Sequence, residues 1–291
     1  MENLAQGVSA QTALCGILGW PVGHSLSPVM QNTLARRMGA DLCYGAFPVA
    51  SERLGEAVRG AYALGLLGLN VTVPHKQAVM EFVCGVDPLA QKIGAVNTLV
   101  RREDGFYGYN TDILGLEKSL ELRGVSLAGA TVAVLGAGGA AYAAAALAEK
   151  NGAAQLFLVN RTRAKAEALA GRLSLPVTVR GYEELDSIPA VDVLLQTTSV
   201  GMGAGHEEEA PLPEFSLLER TKFVLDVIYT PWETRLLREA RERGCETENG
   251  FPMLMYQGTA AFSLWTGQAV PDEVAAALAR DVGEVFREGR L

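Results

Sequence analysis

Cysteine and histidine are scarce in this chain: four cysteines and three histidines are spread over 291 residues. Cys15, Cys43, Cys84 and Cys245 form no C-x-x-C pair and the histidines are dispersed, so neither a disulfide framework nor a metal site is expected. Apolar runs are broken by Gly, Pro or charge before they reach membrane-spanning length. Positive charge is in the minority, with 25 Lys and Arg against 33 Asp and Glu and a net charge of −8, which argues against a nucleic-acid surface. Residues 1–11 are polar and short and carry no charged-then-apolar leader, so a cytoplasmic protein with reduced, buried thiols is expected. Internal repeats and low-complexity linkers are lacking as well, and Glu207-Glu208-Glu209 reads as a solvated loop.

What is present is a globular composition, 49% hydrophobic and 20% charged, on a chain long enough for two domains. The first part reads as α/β. Strands are expected at 12–18, 42–49 and 68–73, with a helix at 28–38 and a second at 51–64 that Ser51 would cap. A short helix should follow Pro74, then a hairpin of 98–102 and 106–109 turned at Glu103-Asp104-Gly105, then a helix at 113–122. From Thr131 strand and helix alternate regularly, with strands at 155–159, 177–179, 191–196 and 222–227 and helices at 163–173 and 234–243, the rhythm of a parallel sheet covered on both faces. Two closing helices, 252–265 and 271–286, have Ala-rich and aromatic faces suited to packing back on the first domain. The expected division is a domain of 1–112 completed by 250–291, and a second domain of 113–249.

The strand beginning at Thr131 runs into Gly136-Ala137-Gly138-Gly139-Ala140-Ala141 and then directly into an Ala-rich helix. In that context Gly-x-Gly-x-x-Gly/Ala marks a dinucleotide pyrophosphate site. Gly136 permits the turn, Gly138 lets backbone N–H groups approach the phosphates, and Ala141 keeps helix and sheet close. The helix N-terminus adds orphan donors and a positive dipole end. An acid at the end of the following strand would bind an NAD ribose, but Asn160 stands there, followed by Arg161, Thr162, Arg163 and Lys165. Cations in a first helical turn oppose the macrodipole by about 0.3–1 kcal/mol each. A ribose 2′-phosphate would remove that conflict, so NADP is the expected dinucleotide.

Four polar groups stand out elsewhere. In His24-Ser25-Leu26-Ser27-Pro28, an extended segment would aim both hydroxyls the same way, toward one carboxylate, although Ser27 could equally cap the next helix. Asn70 to Lys76 places polar residues at the end of an apolar strand, where α/β sheets bind ligands. Gly94 to Thr98, with Asn110-Thr111-Asp112 downstream, reads either as ligand-facing or as turn and cap. Gln257 sits within an otherwise apolar helix that follows Asn249-Gly250.

Taken together, these residues resemble the shikimate dehydrogenase family. The family's Gly-x-Pro-x-x-His-Ser-x-Ser-Pro stands here as Gly19 to Pro28. Asn70 to Lys76, Gly94 to Thr98, Asn110 to Asp112, Gly136 to Ala140, Asn160 to Thr162, Thr198 to Met202, Asp226 to Tyr229 and Asn249 to Gly267 follow in the family's order. The resemblance spans about residues 16 to 267. It implies NADP-linked interconversion of shikimate and 3-dehydroshikimate by two α/β domains, a substrate domain and a Rossmann-type NADP-binding domain, as a monomer or homodimer. Lys76 and Asp112 would be the acid–base pair, Lys76 moving the proton while Asp112 positions it. Ser25 and Ser27 would hold the ring carboxylate, and Thr72, Asn97 and Gln257 the ring hydroxyls, with Tyr229 near the substrate. Gly136, Ala137, Gly138, Gly139 and Ala140 would cradle the pyrophosphate, and Asn160, Arg161, Thr162, Arg163 and Lys165 the adenosine 2′-phosphate. Val227 and Gly250 would lie against the nicotinamide. Three positions depart from the pattern: Trp20 where small or polar residues are common, His75 where Phe is frequent, and Gln196-Thr197-Thr198 in place of Asn-Ala-Thr. The rivals are an NAD-linked quinate/shikimate dehydrogenase, disfavoured by the basic cluster and the double serine, and a non-catalytic ligand sensor, disfavoured by intact Lys76 and Asp112.

Overall fold

The computed structural model describes residues 7–203 and 205–290, so residues 1–6 of the polar amino-terminal stretch lie outside the described residues. The chain divides into two compact units, one of residues 1–111 and 255–291 and one of residues 112–254.

In the first unit, the apolar runs form β1 (Ala13–Gly19), β2 (Leu42–Pro48) and β3 (Gly68–Val71), connected through α1 (Ser27–Met38) and α2 (Leu54–Ala63). β1 lies between β2 and β3 and pairs parallel with both. β4 (Gly85–Val86) and α3 (Pro88–Ile93) precede the hairpin of β5 (Thr98–Arg102) and β6 (Gly105–Tyr109). The sheet runs β2-β1-β3-β5-β6-β4, with β3, β5 and β6 antiparallel in turn. Its core gathers Leu18, Leu54, Val58, Leu69, Val71, Leu99 and Phe106.

The second unit begins with α4 (Asp112–Leu122). It continues through β7 (Thr131–Leu135), α5 (Gly139–Lys150), β8 (Gln155–Val159), α6 (Arg163–Ala170), β9 (Val177–Arg180), β10 (Val191–Gln196), β11 (Thr221–Asp226), α7 (Arg235–Glu242) and β12 (Glu246–Glu248). All six strands are parallel, in the order β12-β11-β10-β7-β8-β9. The strand order therefore reverses direction between β7 and β10, and a doubly wound sheet opens its ligand crevice outside the carboxyl ends of the strands at that point.

α8 (Phe251–Thr266) crosses the division, and from residue 255 it belongs to the first unit together with α9 (Asp272–Arg287). The Trp265 indole donates to the Leu99 carbonyl at 2.9 Å, and Gly68 leaves the space the indole fills, since a Cβ there would overlap it. The Gln31 amide donates to the Gly258 carbonyl at 2.9 Å, and Arg37 of α1 pairs with Asp281 of α9. Among the described residues no helix is long and apolar enough to cross a membrane.

Several local expectations are corrected. Ser51 opens a 3-10 turn of 51–53 instead of capping α2, which starts only at Leu54. The stretch after Pro74 is a 3-10 helix at 78–82. β4, α3 and β12 carry no strong pattern because each is between two and six residues long, shorter than a hydrophobic period can register. The helix expected from Thr234 begins at Arg235, and Thr234 caps it, its hydroxyl accepting the Leu237 N–H at 3.3 Å.

Candidate functional site

In the second unit, the turn after β7 meets the turn after β10 at the reversal of strand order. Gly136 has φ of 112°, a conformation that favours glycine, and a Cβ there would lie 2.7 Å from the Thr197 hydroxyl oxygen. Thr197 is held to the end of β7 by its N–H and its hydroxyl, which donate to the Leu135 carbonyl at 3.0 and 2.6 Å. Gln196, one of the departures from the family pattern, is fully buried. Its amide reaches the Thr198 hydroxyl at 2.9 Å and accepts the Thr198 N–H at 3.1 Å, folding residues 196–198 into a fixed turn.

Helix α5 opens at Gly139 with no capping side chain and no acid in its first turn. The preceding Gly138 is exposed, and a Cβ built there meets nothing within 4 Å. Ala137, Gly139 and Ala140 are partly exposed around it, whereas Ala141 is buried, so that helix and sheet stay close. Uncapped N–H groups beside an open glycine form a cradle for an anion such as a pyrophosphate. Past β8, the Asn160 amide donates to the Thr162 carbonyl at 2.8 Å, and Thr162 precedes α6 without capping it. Arg163 is drawn away by Glu167 at 3.2 Å and Glu184 at 3.1 Å. Exposed Arg161 and Lys165 carry no ion pair among the described residues, so the positive charge available to an anion there rests with them.

Next along the carboxyl edge, Asp226 ends β11, and the loop after it carries Val227 and half-buried Tyr229. Gly250 has no room for a side chain because a Cβ would fall onto the Val227 carbonyl. Asp112, buried, is the first residue of α4 in this same unit.

The first unit holds the remaining candidate residues. The His24–Pro28 segment is not extended, because Leu26 is helical (φ −78°, ψ −8°) and the Ser25 N–H bonds back to the Val22 carbonyl at 3.1 Å. The alternation argument for two parallel hydroxyls therefore fails, as does Ser27 as a cap. It is Ser25 whose hydroxyl accepts the Ser27 N–H, at 3.2 Å. Ser27 is buried beside Tyr44, whose phenol is pushed well above its ordinary range by burial and the nearby Cys15, against the opposing hydrogen bond of Ser27.

From Tyr44 a buried polar network crosses the sheet. The phenol donates to Asn70 Oδ1 at 2.7 Å, and the Asn70 amide donates to the Thr98 hydroxyl at 3.2 Å and the Asn97 carbonyl at 3.3 Å. Asn97 Oδ1 accepts the Thr98 hydroxyl at 2.9 Å and the Thr111 N–H at 2.8 Å. Asn97 Nδ2 donates to the Thr111 hydroxyl at 3.0 Å and reaches Gln257 Oε1 at 3.5 Å. Backbone bonds bring two further candidates to this network: Val71 N–H to Asn97 O at 2.8 Å places Thr72, and Val96 N–H to Lys76 O at 2.8 Å places Lys76. His75 is buried, its Nε2 2.7 Å from the Val49 carbonyl, while Trp20 is exposed. A wall of amides and hydroxyls with one half-buried lysine can bind a polyhydroxylated ring and exchange a proton with it. Tyr44, Asn70, Thr98 and Thr111 join the candidates through the network; no sequence spacing signals Tyr44, which sits within the apolar run of β2.

Family models match three stretches: the shikimate dehydrogenase substrate binding domain over residues 17–99, shikimate / quinate 5-dehydrogenase over 118–207, and the shikimate 5′-dehydrogenase C-terminal domain over 250–280. The chain is 45% identical over 271 residues to the NADP(+) shikimate dehydrogenase of Moorella thermoacetica, covering 91% of each. Among solved structures, it resembles a chorismate mutase/shikimate 5-dehydrogenase fusion protein from Clostridium acetobutylicum, with a TM-score of 0.87 at 32% identity over 94% of this chain and 98% of that one. It also resembles shikimate 5-dehydrogenase from Thermus thermophilus in complex with NADP(H) and shikimate, with a TM-score of 0.82 at 34% identity over 93% and 99% of the two chains.

Proposed function

The chain belongs to the shikimate dehydrogenase family, and we propose that it interconverts shikimate and 3-dehydroshikimate with NADP, a step toward aromatic amino acids. The observation that carries this reading is the junction at the start of β5, where Asn97 joins Thr111 and Gln257 and the backbone of Val96 tethers Lys76. Amides and hydroxyls that already bond one another in a buried network are pre-oriented, so they can hold ring hydroxyls with little further loss of freedom. Asn97, Gln257 and Thr72 take that part, Ser25 and Ser27 take the ring carboxylate, and Tyr229 borders the substrate.

The residues present fit NADP. Gly138 leaves open space before an uncapped helix, Asn160 replaces the acid that would select an unphosphorylated ribose, and Arg161 and Lys165 offer charge to a 2′-phosphate. The bound dinucleotide supplies the hydride acceptor. Lys76 takes the proton from the hydroxyl being oxidised and returns it in the reverse direction, and Asp112 is the second member of the acid–base pair. Val227 and Gly250 flank the nicotinamide.

The test is shikimate-dependent reduction of NADP+ by the purified protein, followed at the NADPH absorbance band, with quinate and NAD+ as controls. Turnover with shikimate and NADP+ well above both controls is expected. Equal use of NAD+ would overturn the cofactor assignment, and no turnover with shikimate would overturn the reaction.

A further inference from the structure

Asp226 is a fully buried carboxyl that the proposed chemistry does not use. Its Oδ1 accepts the Ile228 N–H at 3.0 Å and its Oδ2 accepts the Thr234 hydroxyl at 2.8 Å. Among the described residues no ion pair reaches it. A buried acid without a cation is an expensive group to keep in an apolar sheet, so what it holds is informative.

The two groups it holds lie near the beginning and at the end of one loop. Residues 227–234 leave β11 at the carboxyl edge of the parallel sheet and return to start α7. Other bonds fasten this loop along its course. The Val227 N–H donates to the Gln196 carbonyl at 3.0 Å, the Ile228 carbonyl accepts the Gly250 N–H at 2.9 Å, and the Thr230 carbonyl accepts the Gly203 N–H at 2.9 Å. Further on, the Trp232 carbonyl accepts the Asn249 amide at 2.8 Å. Asp226 joins one end of the loop to the other, through a hydroxyl that at the same moment caps α7. Of the loop's residues assigned above, Val227 lies between Asp226 itself and the clasped Ile228, and Tyr229 lies between Ile228 and Thr234. The Val227 carbonyl lies so close to Gly250 that a Cβ there would overlap it, so the backbone at Val227 has no free space on that side.

We infer that Asp226 is a positioning residue that clasps the two ends of the 227–234 loop and thereby sets Val227 for the nicotinamide half of the dinucleotide. This rests on the assignment of Val227 to the nicotinamide made above. Asp226 touches neither cofactor nor substrate on this account and acts through the loop. Asparagine can keep the bond to Ile228 and face the Thr234 hydroxyl with its amide, so it should preserve much of the clasp, whereas alanine removes both ends of it.

The test compares two ligands on the full chain, NADPH and adenosine 2′,5′-bisphosphate, which lacks the nicotinamide. Asp226→Ala and Thr234→Val should each weaken NADPH binding, read by nucleotide fluorescence, on the order of tenfold, as expected for loss of a buried hydrogen bond. Binding of the bisphosphate should stay within about twofold of wild type in both. The double variant should bind NADPH no worse than Asp226→Ala alone, because both changes break one device, and Asp226→Asn should restore most of the affinity. Unchanged NADPH affinity in folded variants would overturn the inference, and so would equal weakening of both ligands, which marks general loosening of the unit. If Asp226→Ala fails to fold, Thr234→Val and Asp226→Asn decide by the same pair of affinities. A wild-type protein that binds NADPH without oxidising shikimate would defeat the proposed reaction and leave the ligand comparison intact; one that binds neither ligand would defeat both.

Discussion

Gly136 and Thr197 touch across the point where the parallel sheet reverses its strand order. The Thr197 hydroxyl lies 2.7 Å from where a Cβ on Gly136 would be and donates to the Leu135 carbonyl at 2.6 Å. The contact joins the turns after β7 and β10 and leaves no room for a side chain at Gly136. Gly136→Ala would add a methyl group to a backbone with φ of 112° and push it against Thr197. Stability should fall by about 1–3 kcal/mol in urea denaturation, and NADPH affinity should fall with it. Stability equal to wild type would show that the two turns can separate.

Lys76 is tied by its own carbonyl to the Val96 N–H, just before β5 begins at Thr98. Lys76→Ala should lower kcat for shikimate oxidation by about 10²-fold or more, with a smaller effect on KM, because the proposed proton transfer is lost while the ring contacts proposed for Asn97 and Gln257 remain. Steady-state kinetics check this; kcat close to wild type would remove Lys76 from the chemistry.

Three basic residues follow Asn160, and their surroundings separate them. Arg163 is already engaged by Glu167 and Glu184, while Arg161 and Lys165 are exposed without such pairs among the described residues. Arg161→Ala and Lys165→Ala should each reduce kcat/KM for NADP+ on the order of tenfold and change kcat/KM for NAD+ much less. Arg163→Ala should do less. An Arg163 effect as large as the other two would mean that the nucleotide displaces both glutamates.

Burial pushes the Asp226 carboxyl up to about 7, against the opposing hydrogen bonds from Ile228 and Thr234. An unfolded aspartate titrates near about 3.9, so between these values the folded protein binds more protons than the unfolded chain. The stability this group contributes is therefore fully present below the unfolded value and is lost as pH rises through about 7. Asp226→Asn removes that term. Relative to wild type, the variant should gain stability as pH rises from the acid side toward neutrality, by at most about 1.4 kcal/mol per pH unit. Parallel stability curves for the two proteins would place the carboxyl in a more polar setting than its burial indicates.

The regular elements were legible wherever a hydrophobic period ran for several residues, as in β7, α5 and β8. Thr234 was legible as a helix start because a cap residue stands directly before an amphipathic run. Ser27 and Ser51 carried the same local signal and do not cap, because the loops before them enter the helices in conformations no short window records. Leu26 is already helical, and a 3-10 turn precedes α2. Short β4 and β12 exist because longer neighbours offer them a pairing edge, whereas α3 is started by Asp87, whose carboxylate accepts the Leu89 and Ala90 N–H groups.

Residue chemistry in order along the chain was enough to determine the glycine turn before an Ala-rich helix, Asn160 where an acid would select NAD, and the serial motifs that resemble one family. Those signals are local: each depends on a few adjacent side chains and on periodicities of two or 3.6 residues. Only the tertiary structure decided that Gln257 meets Asn97 and Thr111, that Gly136 meets Thr197, that Arg163 is spent on two glutamates, and that Asp226 is buried with two hydrogen bonds and no cation. The physical reason is that strand order, burial and ion pairing depend on which distant segments share a core. An aspartate at the end of an apolar strand reads the same in sequence whether its carboxyl faces water or has been closed away from it.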